Sequence, residues 1–316
     1  MKRRDLGRLA LGSALLAAGC SGSSAEADEL VIATGSVGGV YDRLGTALAS
    51  VGQRFALQMS AVRTAASIEN MTLLGNRAAD IGFTTVDCAS LALGGEAPFP
   101  APVPIAALAA LYDDYLQLVV RADASIGTLA DLAGRRVSTG EVGSGTDIAA
   151  ERVLAAAGLA GRVRIARQSL STAVAGVRAG ALDAFFFSAG LPTPAINDLV
   201  RAEPGIIRLL PLSQLVGRLQ SEFGEVYAER TVPRVTYRMT ADVGTIGITN
   251  VLVVRRDMSD NVARRLTALL FEAGFQLRDA HIDAEQIDPR SALGTYPVPL
   301  HPGAQQYYRA AKLFVD

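Results

Sequence analysis

At 316 residues and 50% hydrophobic content, the chain can bury a sizeable core and is long enough for two domains. Its 30 basic and 31 acidic residues leave a net charge of −1, which supplies no field for nucleic acid or an acidic membrane surface. Lys2 and Lys312 are the only lysines, and the arginine excess is read as codon bias rather than a basic patch.

The N-terminus has the order of a signal peptide: basic Met1–Arg4, apolar Leu9–Ala18, then small residues before Cys20. It is too short to span a bilayer as a helix. Cys20 directly after Gly19 resembles a lipobox, with Leu16 one place earlier than is usual, so residues 1–20 are expected to be a lipoprotein signal peptide with Cys20 acylated. Ordinary cleavage near Ala18 is the alternative, and Arg3-Arg4 also resembles a twin-arginine export signal. Residues 21–28, small and acidic, read as a tether. With Cys20 acylated, Cys88 is left as a buried structural thiol; a Cys20–Cys88 disulfide is the other arrangement open to the pair.

Leu30–Ala33 predicts a strand, Gly35–Gly39 a glycine loop, and Val40, Leu44, Leu48 and Val51 a helix. Ser67 is placed as the cap of the next helix, with Glu69 in its first turn. Asp80–Thr84 and Leu116–Val120 follow as strands, and Thr128–Leu132 opens a short helix. The strand–loop–helix unit then recurs as Arg136–Thr139, Val142–Thr146 and Asp147–Ala157, and Ala173–Ala179 and Asp183–Phe187 add another helix and strand. Leu116–Asp123 and Asn250–Asp257 echo each other, each an apolar strand ending in Arg-x-Asp, and are candidate crossover strands between two lobes. Gln214–Met239 shows no clear period and is assigned to the cleft border of the second lobe. Asn261–Leu277 and Gln305–Leu313 are amphipathic helices.

The two glycine loops point to binding. A strand feeding a loop that opens a helix offers unpaired N–H groups and the positive end of the helix dipole, which suit a carboxylate or phosphate. Val142–Thr146 is the sharper of the two because Ser144 and Thr146 add hydroxyls, although a serine N-cap on a tight turn would look the same. Neither loop has dinucleotide or P-loop spacing. Enzyme chemistry is not expected. His281 and His301 are the only histidines, metal-ligand spacings and the G-x-S-x-G elbow are missing, and His301 reads as a structural turn residue. No cofactor is expected.

The segments Thr34-Gly35 with Gly38-Gly39-Val40-Tyr41, Ser67–Asn70, Gly143–Thr146, Pro192–Ile196 and Pro299–Ala304 together resemble the TAXI subfamily of TRAP-transporter solute receptors, over nearly the whole mature chain. The resemblance implies an α/β type II periplasmic-binding-protein fold with two lobes, the second inserted into the first through two crossover strands. The expected boundaries are 29–118 and 254–316 for lobe 1 and 119–253 for lobe 2. It also implies an extracytoplasmic receptor, lipid-anchored to the membrane, that delivers a glutamate-like amino acid or related organic acid to a sodium-coupled TRAP permease. Carried over by position, the ligand-facing residues are Ser36, Gly39, Tyr41, Ser67, Asn70, Thr85, Asp87, Ser144, Gly145, Thr146 and Gly190. The chain departs from the family at Ala65-Ala66, where Gly-Gly is usual, and at Thr85-Val86-Asp87, where Gln-Ser-Asp is usual. The ligand therefore does not transfer from relatives, since a lost donor costs roughly 1–3 kcal/mol. A binding protein for an ATP-driven importer, a receptor reporting to a sensor kinase, and an enzyme on the same scaffold are the alternatives.

Overall fold

The computed structural model describes residues 29–313; the expected signal peptide, tether and Cys20 lie outside them. In chain order the elements begin β1 (Leu30–Ala33), α1 (Val40–Val51), β2 (Met59–Val62), α2 (Ser67–Gly75), β3 (Ile81–Thr85), α3 (Val86–Gly94) and β4 (Ile105–Arg121). The second group is β5 (Arg136–Gly140), α4 (Gly145–Ala156), β6 (Arg164–Arg167), α5 (Leu170–Arg178), β7 (Ala184–Ala189), α6 (Pro194–Ala202) and β8 (Ile207–Leu210). Then come α7 (Val216–Phe223), β9 (Tyr227–Val232), β10 (Val243–Arg255), α8 (Asp260–Glu272), α9 (Gly274–Ala280) and α10 (Pro302–Ala310).

All ten strands join one sheet in the order β2-β1-β3-β10-β4-β7-β5-β6, with β8 added to β4 and β9 to β10. Each end is a parallel trio, β2-β1-β3 and β7-β5-β6, because each strand is followed by a crossover helix. The centre is antiparallel, where β10 runs between β3 and β4. This is the two-lobed type II architecture expected. The paired Arg-x-Asp strands are its two central strands, longer than their apolar cores suggested: β4 spans 17 residues and β10 spans 13. The first part of β4 pairs with the end of β10, and its last part pairs with β7 and β8. Likewise β10 pairs with β9 at its start and with β3 at its end, with register shifts beside Thr249 and Leu252. Asp113, Asp114, Thr249 and Asn250 lie where the two strands pass from one half to the other.

Burial on both faces explains the unbroken apolar strands. β3 is buried at every position, and β4 is buried from Ile105 through Tyr112. Leu44, Leu48 and Val51 of α1 pack with Leu266, Leu269 and Leu270 of α8 over the first half. Ala173 and Val177 of α5 and Ile196 and Leu199 of α6 cover the second half. Cys88 is fully buried and free. His301 is also fully buried and caps α10, its Nδ1 accepting from the Gly303 amide and its Nε2 contacting the Met258 carbonyl. It is a structural residue, as expected.

Several local expectations need correction. Ser67 is the first helical residue of α2 and not its cap; the capping position is Ala66, at φ 85°. Asn261–Leu277 is broken into α8 and α9 at Ala273, whose ψ of 14° leaves the helical range. Within Gln214–Met239 the chain forms α7 and β9, the latter an edge strand whose burial alternates too loosely to announce itself. Among the described residues no helix is long and apolar enough to cross a membrane.

Candidate functional site

A cavity of about 750 Å³ opens where the two halves of the sheet meet. That is the size range of small-molecule sites. The first half contributes Ser36, Gly39, Tyr41, Ser67 and Thr85 to its wall. The second contributes Ser144, Gly145, Thr146 and Gly190. Nine of the eleven positions carried over from the resemblance therefore meet in one place. Among the described residues no group of three or more His, Cys, Asp or Glu is placed to hold a metal ion.

Asn70 and Asp87 do not line the cavity, and their polar atoms explain why. Asn70 is fully buried, donating through Nδ2 to the Thr34 carbonyl at 2.6 Å and the Phe83 carbonyl at 2.8 Å while accepting from Thr64 Oγ1 at 2.6 Å. It ties β1, β3 and α2 together. Asp87 is fully buried on the opposite side, accepting from Tyr227 Oη at 2.9 Å with Arg152 Nη1 3.9 Å away. Both side chains serve the scaffold.

Several helix N-termini line the cavity, and those of α1, α2 and α4 differ in what meets them. At α1, Asp42 Oδ2 accepts from the Gly38 amide and Oδ1 pairs with Arg63. At α2, the amides of Ile68 and Glu69 donate to the Gly143 carbonyl across the cleft, at 3.1 and 3.3 Å. Gly143 reaches that position with φ +84°, a left-handed conformation that favours glycine. At α4, Ser144 Oγ accepts from the Asp147 amide at 3.2 Å, while Asp147 turns its carboxylate to Thr139 and Arg167. Among the described residues no hydrogen bond is recorded from the amides of Gly145 and Thr146, both cavity-lining.

Ser144 is thus an N-cap, one of the two arrangements open from the sequence. A hydroxyl that accepts one bond still has its own proton to donate, so capping leaves Ser144 able to donate into the cavity. Thr146 is placed similarly: Oγ1 accepts from the Ser188 amide at 3.2 Å and retains its proton. Gly145 is needed for closeness. A Cβ there would stand 2.9 Å from Ser67 Oγ and 3.1 Å from Thr85 Oγ1. Thr85 Oγ1 itself is buried without a partner. Ser36 is exposed at the rim, 3.5 Å from Glu141 Oε2 on the facing loop.

Tyr41 contributes an aromatic wall more than a hydroxyl. Its ring stacks on Phe83 with centroids 5.0 Å apart, and its hydroxyl donates to Asn250 Oδ1. Burial, reinforced by Asp114, holds its phenol well above the usual range, so the proton stays on.

The residue that the sequence did not disclose is Asp114. It is 7% exposed and lines the cavity, accepting from Asn250 Nδ2 at 2.8 Å and Ser188 Oγ at 3.0 Å. Burial pushes its carboxyl up to about 7; the hydrogen bonds from Asn250 and Ser188 pull it down, and Asp283 and Asp113 add to the rise. The available signal was the pair Asp113-Asp114 interrupting the apolar run from Ile105 to Val120. Asp113 is satisfied by Arg230 and Thr249, but Asp114 has neutral partners only. Gly190, at the end of β7, closes the far wall: a Cβ there would lie 1.8 Å from Asp283 Oδ2. His281 Nδ1 accepts from the Asp283 amide at 3.2 Å and lies 3.3 Å from Asp283 Oδ2.

Solved structures share this architecture. The binding-protein component of an ABC phosphonate transporter from Pseudomonas aeruginosa matches with a TM-score of 0.54 at 14% identity, over 90% of this chain and 97% of that one. A putative L-cystine ABC transporter protein from Listeria monocytogenes matches at 0.52 and 14%, over 82% and 98%. The periplasmic aliphatic sulphonate binding protein of Escherichia coli matches at 0.50 and 16%, over 89% and 82%. At such identities the likeness is one of fold: this chain has the type II periplasmic-binding-protein fold. The expected solute-receptor architecture is supported, while the narrower assignment to TRAP receptors is not. A sequence model of the NMT1-like family matches residues 32–311, and the chain belongs to that family.

Proposed function

We propose that the protein is an extracytoplasmic solute-binding receptor, not an enzyme, that captures a small carboxylate or amino acid for a membrane importer. The carrying observation is the cavity of about 750 Å³ walled by both halves of the sheet, with two unpaired α4 amides at its edge. One negative group of the solute sits on the Gly145 and Thr146 amides and the Ser144 and Thr146 hydroxyls, where the helix dipole favours it. The lobes change over within the long strands, at 113–114 and 249–250, a few residues before each boundary expected from the sequence. Bending there opens and closes the cleft, and the solute favours the closed state by its greater affinity for it.

The importer is of the ATP-driven kind, as for the phosphonate and L-cystine proteins of the same fold, which favours that alternative over a TRAP permease. The motif resemblance to TAXI receptors keeps a sodium-coupled TRAP permease as the second reading. A lipid on Cys20 would hold the receptor at the membrane. Uptake of the recovered solute, measured in cells with and without the gene, tests the reading. Loss of uptake on deletion, abolished equally by ATP depletion and insensitive to collapse of the sodium gradient, is expected. Normal uptake in the deletion strain refutes delivery and points to sensing; sodium-dependent uptake selects the TRAP permease.

A further inference from the structure

The walls of the cavity carry more negative than positive charge. Its lining includes the carboxylates Glu69, Asp114 and Glu141 against one guanidinium, Arg63. Arg63 is engaged by Asp42 at 2.9 Å, and Glu69 accepts from the Ala65 amide at 2.6 Å. Asp114 is different in kind, being buried at the floor with hydrogen bonds from an amide and a hydroxyl and no cation opposite. A buried carboxylate without a counter-charge is costly, and folding alone gives no reason to keep one at a cavity wall. Asp283, buried nearby, disfavours the charged form of Asp114 further.

A second observation is independent of charge. Thr85 Oγ1 lines the same cavity, is buried in a residue 3% exposed, and has no hydrogen-bond partner. A buried hydroxyl facing a cavity without a protein partner points to a hydrogen-bonding group on the solute. Its residue pairs in register with Asn250, whose amide holds Asp114.

We propose that Asp114 seats a cationic nitrogen of the solute, an ammonium or amidinium, so that the solute is a zwitterion or cation and not a plain organic anion. The proposal deepens the receptor reading above and rests on it. Ser188 fixes the spacing, because its amide donates to Thr146 Oγ1 at 3.2 Å and its hydroxyl donates to Asp114 Oδ2 at 3.0 Å. One residue thus connects the anion-binding edge of α4 to the carboxylate floor. A solute spanning both carries its opposite charges a few bonds apart, as the head group of an amino acid does.

The test is a thermal-shift and calorimetric panel at pH 8 on the full chain and its Asp114→Asn variant. The probes are matched pairs that differ only in the amine: glutamate and glutarate, aspartate and succinate, lysine and 6-aminohexanoate, arginine and 5-guanidinopentanoate. Pairs with a second basic group separate an α-ammonium from a side-chain cation. The expected result is that an amine-bearing member stabilises wild type, its deaminated partner binds at least tenfold more weakly, and Asp114→Asn loses at least tenfold in affinity for the amine. Thermal unfolding of the free variant shows that it is folded. Equal binding of glutamate and glutarate or of aspartate and succinate, or unchanged affinity in Asp114→Asn, overturns the proposal while leaving the receptor reading intact. A panel in which nothing binds wild type counts against both.

Discussion

Replacing Asp114 by asparagine should make the free protein more stable at alkaline pH. The side chain is isosteric, and Asn250 and Ser188 can each keep a hydrogen bond to it. Only the ionisable proton is lost. In the folded chain burial holds the carboxyl up to about 7, against 3.8 for the unperturbed group. The folded state therefore keeps a proton that the unfolded state has released. Its contribution is fully present below pH 3.8 and is lost as pH rises through about 7. At about 1.4 kcal/mol per pH unit, the ionised carboxylate costs the native state on the order of 4 kcal/mol by pH 8. The groups facing Asp114 do not reverse the sign: Asp113 and Asp283 push its carboxyl up, while Tyr41 and Tyr112 are buried phenols that stay protonated. His281 lines the same cavity, and its Nδ1 already accepts the Asp283 amide. Denaturant unfolding of ligand-free wild type and Asp114→Asn between pH 4 and 8 measures the difference. The curves should coincide near pH 4 and diverge as pH rises, with the variant higher. A variant less stable at pH 8, or a gap independent of pH, would refute the claim that this carboxylate lacks a counter-charge.

Ser144→Ala should lose about 1 kcal/mol of stability as a cap is removed, and solute affinity should fall by roughly 1.5–3 kcal/mol if its free proton reaches the solute's charge. Thr146→Ala should show the same affinity loss; unchanged affinity in both variants, measured by calorimetry, would leave α4 as a capped helix only. Gly190→Ala puts a methyl 1.8 Å from Asp283 Oδ2 and should hold the lobes apart, raising the radius of gyration in solution scattering. A profile superimposable on wild type would show that this contact does not set closure. Asn70→Ala should cost about 1–3 kcal/mol in denaturant unfolding by orphaning the Thr34 and Phe83 carbonyls. An affinity loss without a stability loss would return Asn70 to the ligand.

The fold was legible because its signals are local and repeated. Glycine loops between an apolar strand and an amphipathic helix mark α1 and α4, and the Arg-x-Asp echo marks the two central strands. The site was legible in part. Ser36, Gly39 and Ser144 sit on loops, and Thr146 in the helical turn that follows one, at positions that follow directly from strand–loop–helix order. Asn70 and Asp87 have the same polar chemistry, and only their three-dimensional neighbours show that they brace the scaffold: two carbonyls for Asn70, Tyr227 and Arg152 for Asp87. Asp114 escaped for the opposite reason. It lies inside a strand, and what distinguishes it from Asp113 one position earlier is the far-off Arg230 that pairs with one and not the other. The break at Ala273 and the strand Tyr227–Val232 likewise depend on packing rather than on period.

The central claim, that the cleft between the lobes holds a small solute, is tested most directly by native mass spectrometry of the full chain beside its Gly145→Asp variant. Gly145 faces Ser67 and Thr85 across the cavity, and an aspartate there fills the space and sets a negative charge beside the α4 amides. The account predicts one small molecule per wild-type chain, released on unfolding, and none on a variant that remains folded. Equal occupancy of the two proteins would contradict it and move the binding site away from the cleft.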